Sequence, residues 1–111
     1  MRFGGQKMIR SALIEEVKQA ILEIEPRAEI ILYGSRSRGD FNEESDWDFL
    51  ILVEGTVDDK RIDTIRHRLY EVEWQHGQVI SSITRSRLEW DSPRYQVMPL
   101  HQRIEQEGIK L

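Results

Sequence analysis

Two short apolar runs, separated by a polar and turn-rich stretch, constrain this chain more than anything else in it. Ile30, Ile31, Leu32 and Tyr33 form the first; Trp47 leads into the second, Phe49, Leu50, Ile51, Leu52 and Val53. The first run is too short for a helix, and its continuous rather than alternating apolarity is the pattern of a strand covered on both faces. The second reads as another strand with Asp46 and Asp48 at its start. Gly34 and Ser35 stop the first abruptly, and Gly55 closes the second.

Helical stripes flank these strands. From Ser11 to Glu25, Leu13, Val17, Ala20, Ile21 and Ile24 recur at helical spacing until Pro26 ends the pattern. From Asp58 to Trp74, Ile62, Ile65, Leu69 and Val72 do the same, with Asp58 and Asp59 near the positive end. His76 and Gly77 then make a turn, and Gln78 to Thr84 reads as a third strand. Asp91 to Gln106 reads as a last helix with Ser92 as cap and Pro93 in its first position, although Pro99 falls inside it. No repeat or linker interrupts the order helix, strand, strand, helix, strand, helix. The expectation is a single α+β domain spanning residues 1–111.

Composition narrows the function. A chain of 111 residues, 39% of them hydrophobic, can bury one core without disulfides or a structural metal. The absence of cysteine removes disulfide frameworks, thiolate zinc sites and cysteine nucleophiles together and fits a reducing compartment. No apolar run has membrane-spanning length and MRFGGQKMIR lacks the apolar stretch of a signal peptide, so a cytoplasmic, membrane-free protein is expected. The net charge of −4 speaks against duplex DNA as a partner but leaves room for a local phosphate site.

The chemistry concentrates between Tyr33 and Val53. Side chains at i and i+2 of a strand share a face, so Asp46 and Asp48 point one way and Trp47 the other. At roughly 5 Å and an effective dielectric of about 20, two such charges repel by about 3 kcal/mol, a cost that a cation between them removes. Oxygen donors without histidine or cysteine favour Mg²⁺, which completes its shell with water and phosphate. Upstream, Gly34 permits close backbone approach to an anion. Ser35 offers a hydroxyl and an amide at the start of a helical turn through Arg38. Arg36 and Arg38 add fixed positive charge, and Gly39 supplies a left-handed turn back toward Asp46. A phosphate seat facing a carboxylate pair is the minimum apparatus for phosphoryl or nucleotidyl transfer.

The block GSRSRGDFNEESDWDFLIL, with Gly34 and Ser35 followed after ten residues by Asp46, Trp47 and Asp48, resembles the signature of the DNA polymerase beta-like nucleotidyltransferases. The small size points within them to the minimal nucleotidyltransferases, the MNT proteins. The resemblance implies a small mixed sheet with helices packed on it. Gly34 and Ser35 would hold the triphosphate of an NTP such as ATP, and Asp46 and Asp48 would ligate one or two Mg²⁺ ions. It also implies transfer of AMP to a hydroxyl on a small helical partner of the HEPN type, the chain being the antitoxin of the pair.

One departure from that pattern keeps a second reading open. Active members carry a third carboxylate on the following strand, whereas residues 78–84 contain no acid. Glu71 and Glu73 are the nearest in sequence, and either reaches the site only if the helix end folds toward it. The alternative is a catalytically weak or silent nucleotide-binding or partner-binding module. Asp40, Glu43 and Glu44 are expected as a solvated loop edge. His67, His76 and His101 are expected at the surface or at helix ends. Tyr33, Tyr70, Trp74 and Trp90 are expected to pack the sheet and helices, and Arg85, Arg87 and Arg94 to form a solvated face.

Overall fold

A computed structural model describes residues 4–39, 42 and 44–111, with side chains described from residue 12 onward. Helix α1 (Gly4–Ile24) leads into strand β1 (Glu29–Tyr33), the single turn α2 (Ser35–Arg38) and strand β2 (Trp47–Val53). Helix α3 (Asp59–His76) and strand β3 (Ile80–Ser86) follow. The short helices α4 (Arg87–Trp90), α5 (Pro93–Gln96) and α6 (Pro99–Glu107) then lead to a two-residue strand, β4 (Ile109–Lys110). The α+β class and the mixed sheet agree with expectation.

The sheet runs β3-β2-β1-β4. β1 pairs antiparallel with β2 and with β4, while β2 and β3 are parallel, joined through α3. Trp47, Phe49, Ile51 and Val53 project into a core shared with Leu13, Val17 and Ile21 of α1 and Ile65, Leu69 and Val72 of α3. The opposite face carries Ile31, Leu50 and Leu52 against Trp90 of α4 and Ile104 of α6. β2 is therefore covered on both sides, which its unbroken apolar run requires. Asp58 caps α3 by accepting the Arg61 amide at 2.8 Å, and Gly77, at φ 61°, ends it.

Several expectations need correction. The single helix over residues 91–106 is three helices, because Pro93 and Pro99 each open a new one in its first turn, where a missing N–H does no harm. β3 lies two residues later than expected, since Ser86 is still extended as the cap of α4, its side chain accepting from the Glu89 amide. Tyr70 and Trp74 are 56% and 77% exposed on the outer side of α3 rather than packed. His101 is buried, its ring stacked on Trp90 at 4.5 Å. Arg87 is not simply solvated: it pairs with Glu29 at 2.8 Å and Glu54 at 3.0 Å. Asp40 and Glu43 lie outside the described residues, while Glu44 is exposed as expected.

Candidate active site

The site forms where β1 ends and β2 begins, side by side at one end of the sheet. Gly34 leaves β1 with φ 79° and ψ −161°, a region open essentially to glycine alone. A Cβ at this position would run into the Asp48 carboxylate, so the missing side chain is also what lets the two strands deliver Gly34 and Asp48 side by side. The chain then makes one tight turn. Ser37 and Arg38 donate their amides to the Gly34 carbonyl at 3.0 and 3.2 Å, and the Ser37 hydroxyl donates to the same oxygen at 2.7 Å. Gly39, left-handed at φ 86° as its type and place predict, donates to the Ser35 carbonyl at 2.9 Å and caps the turn.

Asp48 is the second residue of β2 and is half-buried; Asp46 lies just ahead of the strand and is exposed. Trp47 points into the opposite core, which fixes both carboxylates on the face of Leu50 and Leu52. Burial pushes the Asp48 carboxyl above the ordinary aspartate value, and the Asp46 charge pushes it further. Arg38 opposes the shift and Glu107 adds to it. The Tyr33 hydroxyl, register partner of Asp48 across β1, is raised by burial and then by the same aspartate. Asp46 thus lies close enough to Asp48 for its charge to raise the Asp48 carboxyl. Among the described residues no group of three acids, histidines or cysteines comes together in metal-holding geometry.

The two arginines do different things. Arg36 was expected beside the phosphate seat, but its guanidinium is buried on the Trp47 side. It donates to the Ser45 carbonyl at 3.0 and 3.3 Å and to Gln78 Oε1 at 3.1 Å, lying 4.4 Å over the Trp47 ring. Trp47 Nε1 donates to the same Gln78 oxygen at 3.2 Å. A planar cation that can stack and bond in its plane suits that niche, and there it ties Ser45, just ahead of β2, to Gln78, just ahead of β3. Arg38 stays at the site's surface, 3.1 Å from both oxygens of Glu107.

Neither Glu71 nor Glu73 supplies a third carboxylate. Both belong to α3, on the far face of the sheet; Glu73 accepts the Ile80 amide at 2.6 Å and Glu71 pairs with Arg68 at 3.3 Å. In the register of β3 the residue beside Asp48 is Ser81. The acid that does enter the site is Glu107, the last residue of α6, whose Oε2 accepts the Gly34 amide at 2.7 Å. Local sequence gives it one faint mark, an anion at the negative end of a helix, which needs a partner from elsewhere in the fold.

The family described as nucleotidyltransferase domain matches residues 14–109. Curated protein sequences give no match. Among solved structures, a toxin–antitoxin crystallised with AMP-PNP superposes with a TM-score of 0.63 at 18% identity, over 86% of this chain and 69% of the other. A mutant of the toxin–antitoxin MntA-HpeT superposes with a TM-score of 0.61 at 19% identity, over 87% and 69%. At these identities the likeness is one of fold.

Proposed function

The chain belongs to the nucleotidyltransferase domain family, and from that premise we propose that it transfers a nucleoside monophosphate, AMP from ATP, to a hydroxyl acceptor on a partner protein. The observation that carries this reading is the juxtaposition of Gly34 with Asp48 and Asp46 on one face at one end of the sheet. Gly34 and Ser35 would seat the phosphates through backbone amides and the Ser35 hydroxyl, with Arg38 as the surface cation. Arg36 would act at one remove, by holding the Ser45 carbonyl next to Asp46.

The donor set fits a hard divalent cation: two carboxylates on one face, Asp48 half-buried and Asp46 exposed, with phosphate and water to complete the shell. Asp46 and Asp48 would hold Mg²⁺, one ion or two, and the metal would neutralise charge building on the phosphates. In the transfer the acceptor oxygen bonds to the α-phosphorus as the bond to the β-phosphate oxygen breaks. Pyrophosphate leaves and the acceptor proton passes to solvent. The chain's own contribution is position: a glycine that lets the phosphates close on the backbone and a buried Trp47 that sets the direction of both aspartates.

The toxin–antitoxin relatives, one of them crystallised with AMP-PNP, support an ATP-type nucleotide and an antitoxin role beside a toxin, here proposed as a HEPN-type protein in the cytoplasm. Among the described residues no helix is long and apolar enough to cross a membrane. A second reading, a module that binds nucleotide or partner with little turnover, is favoured by one observation: Ser81, not an acid, stands beside Asp48.

Incubation with α-labelled ATP, Mg²⁺ and the protein encoded beside it separates the two. Label on protein that disappears in Asp46→Asn plus Asp48→Asn supports transfer. ATP binding that depends on the same aspartates without any label supports the low-turnover module.

A further inference from the structure

Glu107 lies 73 residues from Gly34 in sequence and bonds to it in space. Its side chain is 15% exposed, and its carboxylate takes the Gly34 amide through one oxygen and the Arg38 guanidinium through both. The segment that delivers it is clamped. Gly108 donates to the Ile104 carbonyl at 2.7 Å, and a Cβ on it would press against that carbonyl and Ile31. Ile109 and Lys110 then extend the sheet along β1, opposite Leu32 and Ile31, and Lys110 meets Glu29 at 2.9 Å.

A backbone amide plus a guanidinium is the donor set a phosphate oxygen would use. The single Gly34 N–H cannot serve a carboxylate and a phosphate at full strength together. We propose that Glu107 is an internal occupant of the phosphate seat, so that nucleotide enters by displacing its carboxylate from Gly34 and Arg38. This rests on the nucleotide-binding role proposed above. Displacement passes Arg38 from carboxylate to phosphate and removes a negative charge from beside Asp48. Occupancy by Glu107 scales the apparent affinity of the resting chain down to the fraction of time the seat is open. The α6–β4 segment thereby sets how readily the site loads.

The test is calorimetric titration of the full chain with AMP-PNP and Mg²⁺, comparing the natural sequence with Glu107→Gln, Glu107→Ala and Asp46→Asn plus Asp48→Asn. Both Glu107 variants are expected to bind about tenfold more tightly, equivalent to about 1.4 kcal/mol. The Gln variant keeps the side chain's shape, so tightening there supports the proposal even where the Ala variant fails to fold. Unchanged or weaker binding in folded Glu107 variants overturns the displacement. If binding by the natural chain is still lost with the two aspartates, the nucleotide-binding reading survives that result. Absence of binding in every form overturns both.

Discussion

Gly34→Ala tests whether the site depends on a backbone that only glycine can take. At φ 79° and ψ −161° a side chain costs about 2 kcal/mol in backbone strain. The new Cβ also meets the Asp48 carboxylate, which must leave its rotamer for about 1 kcal/mol more. For a chain of 111 residues, a loss of about 3 kcal/mol at an unfolding entropy of about 2.1 cal/mol/K per residue lowers Tm by about 13 °C. Gly39→Ala is the internal comparison. It too has positive φ, 86°, but among the described residues nothing lies within 4 Å of a Cβ built there, and its left-handed conformation costs only about 1 kcal/mol, or about 4 °C. Thermal unfolding by circular dichroism, with and without AMP-PNP and Mg²⁺, reads both quantities. Gly34→Ala is expected to lose ligand stabilisation along with Tm, and Gly39→Ala to retain most of it. Equal Tm losses in the two variants, or a Gly34→Ala protein stabilised by ligand as well as the natural chain, would refute the reasoning.

Asp48→Asn is expected to stabilise the metal-free protein slightly near neutral pH, by less than about 1 kcal/mol because the group keeps much of its hydration. The folded carboxyl is raised above its unfolded value, so the penalty is absent below the ordinary aspartate value and grows as pH rises through the raised one. The Tm advantage of the variant should therefore vanish on acidification, and an advantage that increases toward low pH would contradict the assignment. Arg36→Ala should cost about 3 kcal/mol in urea unfolding, from charged hydrogen bonds to Ser45 and Gln78 and the stack on Trp47. Arg36→Lys should recover little of this, since an ammonium cannot bond in two directions while lying flat on the ring; full rescue by lysine would show that charge alone matters.

β1, β2, the two long helices and the carboxylate pair follow from sequence because each rests on a local rule. Continuous apolarity marks β1 and β2, a 3.6-residue stripe marks α1 and α3, and alternation along β2 puts Asp46 and Asp48 on one face whatever packs around them. Gly34 and Gly39 likewise declare turns that other residues resist. Tertiary structure alone decided the rest. An arginine right after a phosphate seat reads as a ligand until the packing of Trp47 and Gln78 shows its guanidinium drawn onto the indole ring. Glu73 looks near the site in sequence but sits on the other side of the sheet, because the strand after α3 returns parallel to β2 with that helix on the Trp47 face. Glu107 looks remote but arrives beside Gly34, because β4 pairs with the open edge of β1 and carries the end of α6 with it. Local periodicity sets which face a side chain takes; only closure of the sheet sets which distant side chains meet there.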